Sequence, residues 1–251
     1  MERWDMDTRP SSSNTSDSGL AIQWPLPQPP SQSQPRSESE RHPPLRLGVM
    51  ASGNGTNFEV LVHACRSGVL HGTVERLVVN NPGCGAAQRA ERLGIPCHTL
   101  DHRLQPSREA LDRALSESFQ DAQVDLVVMA GWMRIVTPVL IAAYPDRLVN
   151  IHPSLLPSFR GVDAVGQALD AGVRLAGCTV HLVCEEVDSG RILIQAAVPV
   201  LDGDDRGSLA ARIQIQEHRI LPLGVAIAAQ RLRGRTAAGG AQWRPAGPPS
   251  G

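Results

Sequence analysis

Between residues 45 and 151, short apolar runs alternate with amphipathic stretches at a regular spacing. The apolar runs predict strands at 45–50, 74–80, 95–100, 125–130 and 148–151. The amphipathic stretches predict helices at 57–66, 85–93, 107–120 and 138–143. Within the run at 125–130, residues 126–130 are continuously apolar, as expected of a strand that is buried on both faces. The pattern therefore predicts βαβ units and an α/β fold with a Rossmann-like, doubly wound, mostly parallel sheet.

After residue 176 the pattern changes. Residues 177–184 and 191–200 predict two strands joined by a short loop, an antiparallel pair added to the edge of the sheet. A long final helix is predicted from residue 208 to about 231. Pro222 falls inside this helix, and we expect it to kink or break the helix because proline lacks a backbone N–H.

Two low-complexity segments flank the predicted domain. Pro and Ser supply 17 of the first 44 residues, so residues 1–44 are predicted to form a disordered tail that cannot bury enough apolar area to fold. Residues 233–251 are rich in Gly, Pro and Ala and are predicted to form a flexible C-terminal tail. The folded domain is therefore expected to span residues 45–232.

Composition excludes several classes of function. A net charge of −1 gives no electrostatic support for binding nucleic acid or a membrane surface. No run approaches the ~20 apolar residues of a membrane span, and the N-terminus has no basic, then apolar, signal pattern. The odd number of cysteines, five, without a C-x-x-C pair favours reduced thiols and no metal site. We expect a cytoplasmic protein, either a monomer or a homodimer.

A glycine-rich loop, Ser52-Gly-Asn-Gly-Thr-Asn57, follows the first predicted strand and precedes the first helix. This position in an open α/β sheet binds anions, because backbone N–H groups at the helix start point toward the ligand. The motif is not G-x-G-x-x-G, and Asn80-Asn81 stands where a dinucleotide would require an acidic residue. The loop predicts a phosphate monoester rather than NAD. A βα turn without a ligand is the alternative.

Three residues form a candidate set for acyl transfer. Asn150 and His152 are two residues apart on a predicted strand, so both side chains project to the same side. An amide can donate to an oxyanion, an imidazole can exchange a proton near neutral pH, and Asp188 in a later loop can orient the imidazole. Taken singly, His152 and His181 are also explained as structural histidines, and Asp188 as a turn residue. Sequence alone does not show that Asp188 meets His152.

Six segments in this order resemble a known enzyme family. They are Ser52-Gly-Asn-Gly-Thr-Asn57, Met129-Ala-Gly-Trp-Met-Arg134, Asn150-Ile-His-Pro-Ser-Leu-Leu-Pro157, Gly177-Cys-Thr-Val-His181, Val187-Asp-Ser-Gly190 and Gln214-Ile-Gln-Glu-His218. Together they are similar to the phosphoribosylglycinamide formyltransferases, the folate-dependent GAR transformylases of purine (IMP) synthesis, over residues 46–232. One departure is Gly161-Val-Asp-Ala-Val165, since several relatives have one or two histidines after this glycine.

The resemblance implies transfer of a formyl group from the co-substrate 10-formyltetrahydrofolate to the amine of 5'-phosphoribosylglycinamide, without a metal. It implies that Asn150, His152 and Asp188 are catalytic. The implied ribonucleotide-binding residues are Gly55, Thr56, Asn57, Gln214 and Glu217. The implied folate-binding residues are Arg108, Met133, Arg134, Ile135, Val136, Asn150, Cys184, Glu185, Glu186, Val187 and Asp188.

Three other functions compete with this prediction. A methionyl-tRNA formyltransferase usually adds a C-terminal RNA-contacting domain, and a formyltetrahydrofolate hydrolase normally has a regulatory domain in front. The low-complexity tails and the net charge of −1 favour neither. A non-catalytic phosphate-binding module would need the glycine-rich loop alone, and the intact Asn150, His152 and Asp188 set disfavours it.

Overall fold

The computed structural model describes residues 22–24 and 42–237. Within them, eight strands form one sheet in the order β1-β8-β7-β6-β5-β2-β3-β4. The strands are β1 (Ile22–Trp24), β2 (Leu45–Ala51), β3 (Gly72–Val79), β4 (Cys97–Thr99), β5 (Leu126–Met129), β6 (Leu148–His152), β7 (Leu175–Leu182) and β8 (Ile192–Pro199). The helices are α1 (Thr56–Arg66), α2 (Gly85–Leu93), α3 (Arg108–Asp121), α4 (Pro138–Ala143), α5 (Ala164–Asp170) and α6 (Arg206–Ala237), with a short 3₁₀ turn at His102–Leu104.

The five strands from β2 to β6 are parallel to one another, and the remaining pairings are antiparallel. β7 pairs antiparallel with β6, and β8 pairs antiparallel with β7. This confirms the predicted α/β fold with a parallel sheet, an antiparallel pair and a long C-terminal helix. The register shifts once between β7 and β8, at Val180/His181.

Two hydrophobic clusters cover the two faces of the sheet. Leu47 and Val49 of β2 point toward the cluster formed with α1, α2 and α6. Met50 points to the other cluster, which contains residues of α3 and α4 such as Phe119. Because both faces of these strands are buried, alternation of polar and apolar residues is absent from them. This is why the continuous apolar runs predicted the parallel part of the sheet correctly.

The sheet has its switch point at β2. From β2 the chain proceeds to β3 and β4 on one side, and then returns to place β5 and β6 on the other side. In open α/β sheets, ligands bind beyond the carboxyl ends of the strands at such a point. A ligand is therefore expected to bind among the loops that follow β2, β5 and β6.

Several elements differ from the sequence prediction. The predicted N-terminal tail contains the strand Ile22–Trp24, which pairs antiparallel with β8 from Gln195 to Ala197. The rest of residues 1–41 lies outside the described part of the chain. A short helix, α5, had not been predicted. It begins after Asp163, whose side chain accepts a hydrogen bond from the Gly166 N–H, and is too short to show a clear period.

The predicted break at Pro222 is wrong, because α6 continues through Pro222 to Ala237. Residues on both sides of the proline are buried against the sheet, including Ile220, Leu221 and Val225. Tertiary packing therefore outweighs the lost backbone hydrogen bond, as it commonly outweighs helix propensity. The helix also extends five residues into the predicted tail, whose remaining residues 238–251 lie outside the described part. No helix in residues 42–237 is both long and apolar enough to cross a membrane.

Gly224 is where α6 packs most closely on the sheet, since an added Cβ would lie 2.4 Å from Val180 Cγ1. We expect Gly224→Ala to lower the free energy of unfolding by about 1–3 kcal/mol through overpacking. That cost exceeds the gain of roughly 1 kcal/mol in helix propensity. Urea unfolding midpoints measure the change.

The matched control is Gly234→Ala in the same helix, where an added Cβ meets no atom within 4 Å. This variant is expected to gain a few tenths to about 1 kcal/mol. A Gly224→Ala protein that gained stability as Gly234→Ala does would contradict the close packing of α6.

Candidate active site

A cavity of about 380 Å³ lies beyond the carboxyl ends of β5 and β6. β5 contributes Met129, β6 contributes residues 150–152 and β7 contributes His181. The loops at 131–136, 161–165 and 183–188 complete the wall, and Asn57 and Glu217 reach it from α1 and α6. The cavity thus joins segments that are far apart in sequence at the predicted ligand-binding edge of the sheet.

Asp188 brings the three candidate catalytic residues together. Its Oδ2 lies 3.4 Å from His152 Nδ1, and its Oδ1 lies 3.4 Å from Asn150 Nδ2. The loop that carries Asp188 folds back tightly, since an added Cβ at Gly190 would lie 1.7 Å from the Leu182 carbonyl oxygen. This close approach accounts for a glycine at the end of the loop. The structure thus provides the contact between His152 and Asp188 that the sequence left open.

Both ring nitrogens of His152 face oxygen acceptors. Nδ1 faces the Asp188 carboxylate, and Nε2 lies 2.8 Å from the Phe159 carbonyl oxygen. A carbonyl oxygen can only accept, so Nε2 donates to Phe159, and the contact of Nδ1 with the Asp188 carboxylate at 3.4 Å is electrostatic. His152 is 6% exposed, which shields both contacts from water.

The Asp188 carboxyl stays ionised at neutral pH. Burial raises its pKa, but the neighbouring His181, the Gly161 N–H and the nearby His152 lower it by more, so its pKa lies below the usual value. The Gly161 N–H donates to Asp188 Oδ2 at 2.8 Å. The cavity therefore contains a fixed negative charge beside the imidazole of His152.

His181 is a member of the site that sequence reasoning treated as structural. It lies directly opposite Asn150 in the antiparallel β6–β7 pair and is only 2% exposed. The Leu182 carbonyl accepts a hydrogen bond from His181 Nδ1 at 2.9 Å, so in the neutral ring Nε2 accepts from Asn150 Nδ2 at 3.1 Å. The antiparallel β6–β7 pairing is the signal that identifies His181 as a member of the site, because residues opposite each other on paired strands lie on the same face of the sheet.

The glycine-rich loop leads into α1 and packs against α2. Gly55 is the N-cap with φ 74°, in the left-handed region, and it makes no side-chain capping hydrogen bond. Its added Cβ would lie 2.6 Å from Ala86, so α2 packs directly on the loop. Asn81 donates to the Ser52 carbonyl at 2.7 Å and Ala86 N–H donates to the Gly53 carbonyl at 3.0 Å, which holds the loop in place.

Two side-chain pairs connect α1 to α6 next to this loop. Asn57 Nδ2 donates to Glu217 Oε2 at 2.9 Å, and Gln214 Nε2 donates to Thr56 Oγ1 at 3.2 Å. Burial raises the pKa of the Glu217 carboxyl, and the hydrogen bond from Asn57 lowers it by less. Within the described residues, Asn57 Oδ1 is buried without a hydrogen-bond partner. The five predicted ribonucleotide residues therefore lie together where the start of α1 meets α6.

Comparison with known proteins identifies the family. The Formyl transferase family model matches residues 45–225. A phosphoribosylglycinamide formyltransferase of Escherichia coli is 41% identical over 179 residues, which cover 71% of this chain and 84% of that protein. This chain belongs to the phosphoribosylglycinamide formyltransferase family. The resemblance drawn from the six sequence segments is confirmed.

Solved structures of family members share the fold. Glycinamide ribonucleotide transformylase 1 from Symbiobacterium toebii has a TM-score of 0.73 and 45% identity, covering 75% of this chain and 89% of that chain. The trifunctional purine biosynthetic protein adenosine-3 of Gallus gallus is 40% identical over 74% of this chain. This chain spans only 18% of that longer relative.

Most of the folate-binding residues that the family implies line the cavity. They are Met133, Arg134, Ile135, Val136, Asn150, Cys184, Glu185, Val187 and Asp188. Two others lie outside its lining. Arg108 is exposed at the start of α3, and Glu186 points to solvent and pairs with Arg160 at 2.8 Å. The contacts of all eleven residues with folate stay predictions. Among the described residues, no group of three or more His, Cys, Asp and Glu side chains is placed to hold a metal ion.

Glu217 generates a prediction about stability and pH. Because burial raises its folded pKa, ionisation of Glu217 opposes folding, and stability falls as pH rises from the unfolded pKa through the folded one. We expect Glu217→Gln to have a higher Tm than the parent protein at pH 7, on the order of 2–4 °C. At pH 4, where the carboxyl is largely protonated in both states, the two proteins should unfold at similar temperatures.

The control is Glu117→Gln on the exposed face of α3, which should leave the pH dependence of Tm unchanged. Calorimetric scans at pH 4 and pH 7 measure both variants. Equal Tm shifts at the two pH values would show that burial of the Glu217 charge is not what limits stability.

Proposed function

We propose that the protein transfers the formyl group of 10-formyltetrahydrofolate to the amine of 5'-phosphoribosylglycinamide, a step of de novo purine (IMP) biosynthesis. One observation carries the proposal: Asn150, His152 and Asp188 meet in a cavity that is also lined by Asn57 and Glu217 and by the apolar loop at 131–136. The names of the relatives from E. coli and Bacillus subtilis, phosphoribosylglycinamide formyltransferase, agree with it.

The two substrates would enter the cavity from different sides. The phosphate of the ribonucleotide would sit on the backbone N–H groups of Gly55, Thr56 and Asn57, where the helix dipole favours an anion. Glu217 and Gln214 would accept and donate hydrogen bonds at its ribose or glycinamide end. This arrangement directs the amine toward Asn150 and His152.

The pterin of the folate would lie between two loops. Residues Met133 to Val136 form one wall, and the backbone of Cys184 to Asp188 forms the other. Met133 and Ile135 are 75% and 53% exposed, so the wall offers apolar surface that a bound ring would cover. The formyl group on N10 would then face the catalytic set.

The attack of the amine on the formyl carbon produces a tetrahedral oxyanion, for which Asn150 is the ready donor. One hydrogen of its Nδ2 is directed to His181, and the other faces Asp188 at 3.4 Å. That second contact is longer than the usual 2.7–3.2 Å and is easily redirected to an oxyanion. One donor of this kind typically contributes roughly 3–4 kcal/mol to transition-state stabilisation.

His152 would take part in two ways. Asp188 would orient the ring through its contact with Nδ1 at 3.4 Å. Its Nε2 proton is engaged by the Phe159 carbonyl, so donation to the oxyanion requires exchange of that hydrogen bond. As the C–N10 bond breaks, the proton that leaves the amine must reach N10, and a water positioned by Asp188 and His152 would carry it. This route needs no covalent enzyme intermediate.

The proposal is tested by following folate absorbance with 10-formyltetrahydrofolate in the presence and absence of 5'-phosphoribosylglycinamide. Formyl transfer that depends on the ribonucleotide is the expected result. Release of formate without the ribonucleotide would instead identify a formyltetrahydrofolate hydrolase, and formylation of methionyl-tRNA would identify the tRNA enzyme.

The catalytic roles predict the kinetics of variants. Asn150→Ala and Asp188→Asn are each expected to lower kcat by about 10²–10³, because each weakens stabilisation of the oxyanion or of the imidazolium. The matched control is Asp202→Asn, which alters an exposed ion pair with Arg174 and should leave kcat unchanged. Turnover of Asp188→Asn or His152→Ala near the wild-type rate, with both substrates saturating, would show that these roles are wrong.

A further inference from the structure

We propose that Ser52 is a positioning residue for the folate: its hydroxyl fixes the backbone of the loop at residues 132–136, which forms one wall of the cavity. The inference rests on the proposed function, because it concerns the folate side of the same site. It assigns to Ser52 a role separate from the phosphate-binding loop in which the sequence places it.

The loop has few fixed points of its own. Across residues 42–237, no backbone-to-backbone hydrogen bond is made by residues 132–136. Instead, two side chains from elsewhere in the fold accept from the backbone of the loop and of Thr137, the residue that follows it. The Met133 N–H donates to Ser52 Oγ at 2.9 Å, and the Thr137 N–H donates to the Asp112 carboxylate. The wall of the cavity is therefore held at one end by Ser52 and at the other by Asp112.

Ser52 is itself rigidly held. It is 4% exposed, its N–H donates to the Gly131 carbonyl at 3.0 Å, and its own carbonyl accepts from Asn81. The first of these bonds continues the β2–β5 pairing beyond the ends of both strands. Gly131 then turns the chain with φ 81°, a conformation that favours glycine. A fixed acceptor thus lies where the loop leaves the sheet.

The hydrogen bond to Ser52 fixes the orientation of the loop backbone, which the buried apolar side chains of the loop do not. Trp132 and Val136 are buried at 7% and 8% exposure and keep the loop near the sheet. Apolar burial is non-directional, whereas a hydrogen bond fixes the orientation of a peptide plane. The bond to Ser52 therefore sets the orientation of the Met133 backbone. It thereby also positions the exposed side chains of Met133 and Ile135, which would contact the pterin.

The same residue connects the two substrate subsites. Ser52 begins the loop that would bind the phosphate, and its hydroxyl holds the loop that would bind the folate. Removing only the hydroxyl leaves the backbone bonds of Ser52 intact. Ser52→Ala is therefore expected to act on the folate side and to spare the phosphate side.

The experiment is a fluorescence titration of the full chain with 5,8-dideazafolate, an analogue that carries no formyl group to transfer. We expect Ser52→Ala to raise its Kd by about 5-fold, the effect of one hydrogen bond of net value near 1 kcal/mol. The KM for 10-formyltetrahydrofolate should rise by a similar factor. The KM for the ribonucleotide and kcat should stay within about 2-fold, as expected for an interaction that acts on ground-state folate binding alone.

Two further variants separate positioning from general destabilisation. Ser118→Ala removes a hydroxyl that lies outside the cavity and contacts His98 Nδ1 at 3.0 Å. Ser118 is buried to a similar degree, at 3% exposure. The Ser118→Ala variant should lower Tm without changing the folate Kd. Ser52→Cys keeps a weak acceptor and should give an intermediate Kd, which also serves if Ser52→Ala does not fold.

The possible outcomes distinguish this inference from the function on which it rests. A wild-type protein that does not bind the analogue would overturn the proposed function and this inference with it. A wild-type protein that binds, with Ser52→Ala and Ser52→Cys binding equally well, would overturn this inference alone. So would a rise in both KM values by the same factor.

Discussion

The buried carboxylate of Asp188 is the interaction on which the site depends. It contacts Asn150 and His152 on β6, lies 3.6 Å from His181 on β7 and accepts from the Gly161 N–H of a third segment. An isolated buried carboxylate would be costly, so it is tolerated only where donors surround it. Two of the groups around Asp188, Asn150 and His152, are also the groups that would perform the chemistry. The negative charge of Asp188 therefore holds its own loop against β6 and β7, and it also keeps His152 oriented.

The sheet topology determines which loops can meet. Because the chain reverses its direction of travel at β2, the loops after β2 and β5 leave the sheet side by side. The first of them would bind a phosphate and the second a pterin. The antiparallel β7 then places His181 and the Asp188 loop against β6.

The parallel core could be predicted from the sequence because burial on both faces leaves a plain local signal in runs such as residues 125–130. Asn150 and His152 were found for a similar reason, since their spacing on one strand is local. The contact between His152 and Asp188 spans 36 residues and depends on how β7 turns back, which no local pattern encodes. The path of α6 through Pro222 was mispredicted because burial of Ile220 and Val225, a tertiary effect, decides it. His181 was interpreted as a structural histidine because the register between β6 and β7 was not predicted.

Burial of Asn57 and Glu217 where α1 meets α6 costs the fold stability. Glu217 is 9% exposed, and burial raises the pKa of its carboxyl, so its charged form is disfavoured in the folded state. Asn57 donates to it, but Asn57 Oδ1 has no partner within the described residues, and a buried unpaired acceptor costs roughly 1–3 kcal/mol. Glu217 lines the cavity, so a ligand hydroxyl or amine that donated to its carboxylate would stabilise the charged form and offset part of this cost. The proposed ribonucleotide carries both kinds of donor, so its binding would stabilise the folded chain at this point.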